Sequence, residues 1–256
     1  MKYKNLILIS FALMLILTYS SCQKLSMSSG NGHLLSETRQ LIPFTEIINE
    51  GEFHVFIEED TITQAIVEAE SNIIPLIRTI VNGNTLIIDS RGAINPSIPI
   101  TIYLKTPTIN SIKLSGSGSI ETDSISTVNF NAKISGSGII NARVSATTVN
   151  AEISGSGNMN LISEAEYTNV DISGSGYIFM WGSSTDSDFR ISGSGDINSY
   201  DFTQNNLEAN IPGSGNMYVN VIDYLKVKIS GSGSVFYKGD PSLDINITGS
   251  GSVIHQ

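Results

Sequence analysis

The stretch Ala151-Glu152-Ile153-Ser154-Gly155-Ser156-Gly157-Asn158-Met159 decides the fold. Ala151 and Ile153 flank polar Glu152, and Met159 resumes the apolar series beyond the glycines. Alternation with a period of two is the pattern of a strand with one buried face. The stretch recurs along the chain. Ser-Gly-Ser-Gly blocks start at Ser115, Ser135, Ser154, Ser173, Ser192 and Ser230, with variants at Pro212 and Thr248, and successive starts lie 18 to 20 residues apart. The residue before each block is Leu114, Ile134, Ile153, Ile172, Ile191, Ile211, Ile229 or Ile247. After each block the apolar position returns at Ile120, Ile140, Met159, Ile178, Ile197, Met217, Val235 and Val253.

One such unit is too short to bury its own apolar face. Stacking identical units seals the face between neighbours, which is how repeat proteins build a core. The expected fold is therefore all-β: a single-stranded β-helix, or solenoid, with coils of about 18–20 residues and an N-terminal capping region. Coils would lie about 4.8 Å apart, the ordinary strand spacing. Gly136 and Gly138 continue the inward parity of Ile134 and Ile140. They are expected to leave room at a corner or to adopt positive φ. A phosphate-cradling loop is the competing reading, but no block is followed by the helix or lysine that such loops require.

Residues 41–112 precede the blocks and read as cap and first coils, with residues 113–256 as the repeats. Asn82-Gly83 signals a hairpin ahead of Thr85 to Asp89. Leu76 to Val81, just after Pro75, reads as one helical turn.

Residues 1–21 have another character. Lys2 and Lys4 precede an apolar run from Leu6 to Leu17, followed by Ser20 and Ser21, the layout of a signal peptide. The run is too short to span a bilayer, which takes about 20 apolar residues. Cys22, the one cysteine of the chain, stands where a bacterial lipoprotein carries its acylated residue. Residues 22–40, polar and rich in Ser and Gly, read as a lipid-anchored flexible tether. The implied location is the bacterial cell envelope, on the periplasmic face or the cell surface, with the membrane as a partner through the anchor. Export removes Lys2 and Lys4 and leaves 12 basic against 24 acidic residues. That balance repels phosphate backbones and excludes nucleic acid as a partner.

The run from Phe44 to the first block, with Asn84-Thr85-Leu86-Ile87-Ile88, Ile102-Tyr103-Leu104 and Pro107, resembles the auto-transporter adhesin "head GIN" domain family, over nearly all of residues 41–256. The resemblance implies a β-helical fold and, through the family's name, adhesion. It carries over no functional residues.

Candidate chemistry is sparse. His33, His54 and His255 are not spaced as metal ligands, and no cofactor motif is present. Asp186 and Asp188 near Arg190 form the closest approach to an acid pair, of the kind polysaccharide-cleaving β-helices carry on an outer wall. The outer face offers more. Parity from Ile178 turns Tyr177, Phe179 and Trp181 outward, and the equivalent outward columns of later coils hold Tyr200, Tyr218 and Phe236. Stacked aromatics of this kind make an exposed apolar patch suited to sugar rings or an envelope protein. The leading expectation is a non-catalytic adhesion or binding module for a carbohydrate or protein ligand. A ligand-free envelope scaffold is the alternative, and a polysaccharide-cleaving enzyme the weakest.

Overall fold

The computed structural model describes residues 27–256; the expected leader, Cys22 and the first part of the expected tether lie outside the described residues. Ahead of the first block run β1 (Ser28–Ser29), β2 (Leu34–Gln40), β3 (Glu46–Asn49), β4 (His54–Glu59), β5 (Gln64–Glu70), β6 (Ile77–Asn82), β7 (Thr85–Ser90), β8 (Ile94–Asn95), β9 (Thr101–Thr106) and β10 (Ser111–Leu114). Long strands then alternate with the blocks: β11 (Ser119–Ile134), β12 (Ile139–Ile153), β13 (Asn158–Ile172), β14 (Tyr177–Ile191), β15 (Asp196–Ile211) and β16 (Met217–Ile229). Short strands β17 (Val235–Lys238), β18 (Ser242–Ile247) and β19 (Val253–His255) follow.

Each long strand supplies two walls of one coil. In β12 the buried residues are Ile140, Ala142 and Val144, then Val149, Ala151 and Ile153. Their parity changes across the exposed or half-exposed residues 145–148, so the chain turns a corner there and points a new set of side chains inward. Successive coils pair in parallel, one repeat apart: Leu114 lies beside Ile134, Ile134 beside Ile153, Ile153 beside Ile172, and Ile172 beside Ile191. These five residues are fully buried, and they form the continuous aliphatic row expected from the repeat. Burying each aliphatic side chain stabilises the fold by about 1.5–3 kcal/mol.

The block glycines sit at the other corner, for one of the two reasons anticipated. None has positive φ; among the described residues that conformation is confined to Gly32, Gly83, Gly92, Gly182 and Gly239. Close approach is what requires them. A Cβ on Gly157 would overlap the carbonyl oxygen of Gly138 in the coil before it and lie 2.7 Å from Cγ2 of Ile134. The parallel ladder continues through this corner, with the amides of Ser154, Ser156 and Asn158 donating to Ile134, Gly136 and Gly138 at 2.9, 3.1 and 3.0 Å. A side chain directed along the stack would pry that ladder apart.

The chain before Ser111 departs from simple coil order. β3 and β4 form a coil directly under the first block, with Ile47 beside Ile112 and Val55 beside Ile120. Its corner reads Glu50-Gly51-Glu52-Phe53, and Gly51 lies where a Cβ on Gly116 would strike its carbonyl. The next layer outward comes from later sequence, β7 and β9. Antiparallel β5, β2 and β6 then close that end.

Two expectations are corrected here. Leu34–Gln40 is no tether: it pairs along its whole length with β5, and it reads as a linker only because an exposed edge strand is polar. Leu76–Val81 is no helical turn: a short 3-10 turn spans Ile74–Leu76, and β6 follows in extended form. Pro75 presets φ for the turn, while pairing with β7 draws the β-branched residues of Ile77-Arg78-Thr79-Ile80-Val81 into a strand. The predicted hairpin forms, but Gly83 and Asn84 make its two-residue connection; Gly83 alone has positive φ (60°), as a type II′ turn requires.

Glu70 fastens the cap. Its carboxylate is buried and accepts hydrogen bonds from the Gly32 amide (2.6 Å), the Ser97 amide (2.8 Å) and the Ser97 hydroxyl (2.6 Å). The Ser97 hydroxyl and these amides hold its pKa below the ordinary glutamate value.

Candidate functional site

The wall that follows each block carries the aromatic residues. Tyr177, Phe179 and Trp181 alternate with buried Ile178 and Met180, so β14 presents all three to solvent, 45, 36 and 39 % exposed. The rings of Phe179 and Trp181 lie 6.4 Å apart and nearly parallel, at 22°. Coil stacking brings further aromatics to the same wall. Phe179 pairs with Asn198, Asn198 with Tyr218, Tyr218 with Phe236, and Phe236 with Ile254, in one outward column. Tyr218 and Phe236 stack at 5.0 Å and 8°.

Tyr200 does not occupy the column expected of it. The register shifts between β14 and β15, where Asn198 partners Phe179 and Asp201 partners Trp181. A bulge therefore leaves Tyr200 as the extra residue between them. Its ring meets Tyr218 edge-on at 5.6 Å, and Lys238 Nζ lies 4.2 Å above the ring centroid. Burial and the neighbouring Tyr218 push the Tyr200 phenol pKa up, so its hydroxyl stays protonated.

The face thus has two parts. Tyr177, Phe179 and Trp181 share one coil, and Tyr200, Tyr218, Phe236 and Lys238 form a tighter cluster beyond Asn198. Phe179 and Tyr218 stand two coils apart, about 9.6 Å at ordinary strand spacing. Asp196, Asn198 and Asp201 lie in the intervening coil and supply hydrogen-bonding groups beside the rings. Flat apolar rings interleaved with carboxylates and amides suit a ligand with apolar faces and a hydroxylated rim.

The column contains a further pair that the repeat reading missed. Phe56 and Tyr103 stack at 5.5 Å and 20°, and Phe56 is in register with Glu121, which is in register with Asn141. The signal was in the spacing. Phe56 follows Gly51 by the same interval that separates Phe179 from Gly174 and Tyr218 from Gly213. It was hidden because Gly51 lies in Glu-Gly-Glu-Phe and not in a Ser-Gly-Ser-Gly block.

The acidic cluster lies on the wall that leads into the blocks. Asp186 and Asp188 do not converge: the Asn206 amide donates to Asp186 (2.9 Å), whereas Asp188 sits in register with Asn169 and Glu208. Arg190 lies 3.6 Å from Asp171. Partial burial and the Glu208 charge raise the Asp188 pKa, and burial likewise raises that of Asp171. Glu208 is itself held ionised by Lys228 and Lys226, at 2.6 and 3.1 Å. These groups form a cross-strand charge ladder, with an open depression of about 560 Å³ over Asp171, Asp188 and Arg190. The histidines are dispersed: His54 shares a hydrogen bond with Ser119 (2.9 Å) and His255 stacks on Tyr237 (4.9 Å). Among the described residues no group of three or more His, Cys, Asp or Glu side chains could hold a metal ion.

Comparison with known proteins matches this architecture. A crystal structure of a "putative adhesin" from Parabacteroides distasonis superposes with a TM-score of 0.86 at 25% identity, covering 90% of this chain and 100% of that one. A "putative adhesin" from Parabacteroides merdae gives 0.86 at 20% identity, with 90% and 99% covered. A "putative lipid binding protein" from Parabacteroides distasonis gives 0.81 at 24% identity, with 90% and 100% covered. No curated protein matches the sequence. The family model described as "Putative auto-transporter adhesin, head GIN domain" matches residues 43–180 and 163–241, and the chain belongs to that family.

Proposed function

We propose that this protein is a non-catalytic binding module of the cell envelope that takes carbohydrate across its outward aromatic face and is held to a membrane through acylated Cys22. The observation that carries the reading is the gathering of Tyr177, Phe179, Trp181, Tyr200, Tyr218 and Phe236 on one solvent-facing wall, with Asp196, Asn198 and Asp201 between them. Aromatic planes accept the apolar faces of sugar rings, and the neighbouring polar groups accept or donate to hydroxyls. The family description and the adhesin names of the solved relatives support adhesion as the role. The leader and the position of Cys22 support envelope anchoring.

A glycan array with wild type, Trp181→Ala and Tyr218→Ala tests the face. Loss of one well-packed aromatic contact, about 1.4 kcal/mol, weakens binding about tenfold. Binding unchanged in both variants would remove the site. A silent array together with an envelope defect on deletion would favour a scaffold that has no ligand. Anchoring is separable, because Cys22→Ala should release the protein from the membrane fraction without altering the glycan profile.

A further inference from the structure

The two ends of the stack are built differently. At the capped end the outermost strands are β2 and β6, each antiparallel to its neighbour. β2 carries Glu37 and Arg39, and the Arg39 guanidinium donates to the carbonyls of Ile77 (2.8 Å) and Ile74 (3.1 Å), tying one edge to the other. Charged side chains of this kind are how sheets blunt their edges. At the opposite end β18 and β19 are outermost, paired on one side only, with β16 and β17. Leu243, Ile245 and Ile247 of β18 stand over Leu225, Val227 and Ile229, which are fully buried. Yet the three are 44, 42 and 39 % exposed. The core columns reach the last coil and stop uncovered.

The backbone gives this edge a specific complement. The Thr248 amide donates to Ile229 (2.9 Å) and the Ser250 amide to Gly231 (2.9 Å), so even-numbered residues of the last coil face the coil behind it. Alternation along the strand then turns the N–H and C=O of Leu243, Ile245 and Ile247 toward the open side. In an antiparallel partner with Ile245 opposite its own counterpart, Leu243 meets Ile247, and each such pair exchanges both N–H···O bonds. The same register sets Asp244 against Asn246, so no like charges oppose one another. The sequence of β18 is self-complementary about Ile245, as a two-fold interface requires.

We propose that the open end is a homodimer interface, in which β18 pairs antiparallel with β18 of a second copy about a two-fold axis through Ile245. Two solenoids are thereby joined end to end, and their aliphatic columns become continuous. The distant ends are both capped, so assembly stops at two.

Light scattering on the purified chain carrying Cys22→Ala, which has no thiol to acylate, tests the interface. The expected mass is twice that of one chain. Ile245→Lys should give a monomer with an unchanged circular dichroism spectrum. Asn246→Asp, an exposed change that spares the fold, sets two carboxylates against each other across the axis. It should weaken the dimer at least tenfold in low salt and restore it in molar salt, where such repulsion is screened. A monomeric wild type, an open-ended polymer, or a dimer that survives both variants would overturn the proposal.

Discussion

Gly155→Ala in the middle of the stack distinguishes two accounts of the serine-glycine corners. If the glycines only make the corners supple, alanine stiffens the unfolded chain and stabilises the protein by about 0.4–1 kcal/mol. The structure predicts the opposite sign. The new Cβ would overlap the Gly136 carbonyl oxygen, 2.9 Å from the Ser135 oxygen and 3.0 Å from the Gly136 carbonyl carbon, all of it backbone that cannot swing aside. Relief requires the two coils to separate at this corner, which strains the hydrogen bonds from Ser154, Ser156 and Asn158 to the coil behind. At about 1 kcal/mol net for each, the loss is about 3 kcal/mol, less the entropic gain, for a destabilisation of about 2–3 kcal/mol. For a chain of this size that lowers Tm by roughly 4–12 °C. Ser156→Ala is the matched control, since its side chain leaves the stack, and it should stay within about 0.5 kcal/mol of wild type. Thermal melts and urea titrations of the three proteins are sufficient. A Gly155→Ala protein as stable as the control, or more so, refutes the close-approach argument.

Two further outcomes follow from the charged and polar ladders. Glu70 titrates below its ordinary value when folded, so its contribution is fully present above about pH 4.3 and is lost as pH falls through the depressed folded pKa. Protection of the Gly32, Ser97 and Ile98 amides, all donors to Glu70, against hydrogen exchange, taken relative to the intrinsic rate at each pH, should therefore fall in acid, and Glu70→Ala should show the same loss at neutral pH; undiminished protection in that variant would dismiss Glu70 as the fastener. On the wall that leads into the blocks Asn150 donates to Asn131, and Asn169 donates to Asn150, both at 2.9 Å, and the series ends at Asp188, whose carboxylate has no proton to offer Asn169. Asp188→Asn should extend the series and remove a repulsion with Glu208, raising stability by about 0.5–1 kcal/mol at neutral pH. The folded state favours protonated Asp188, so the gain should shrink as pH falls through the raised pKa. An unchanged urea midpoint would refute it.

The repeat was legible because each coil faces the same constraints. A residue such as Ile153 must fill the core and Gly155 must clear its neighbour, so both recur at a fixed interval. Parity alone was enough to turn Phe179 and Trp181 outward. The cap was less legible, because its layers follow spatial and not chain order: β3 is sandwiched between β7 and β10, contacts that no local period encodes. β2 was misread because an exposed edge has the composition of a linker. Tyr200 was misplaced because a bulge shifts register by a residue, and the alternating pattern on either side still looks unbroken.

The coil built by β3 and β4 has a consequence for how the molecule can vary. Its corner matches the blocks in position while sharing only Gly51 with them, so a coil is specified by a few obligatory positions and is otherwise free. Apart from local bulges, each repeat copies the register of the one behind it. Duplicating or deleting a whole repeat would lengthen or shorten the solenoid in steps of about 4.8 Å and leave its cap and its terminal coil intact. The length of the stack and the extent of its outward walls could then be tuned by gene-level slippage at the repeats, with no residue of the cap having to adapt.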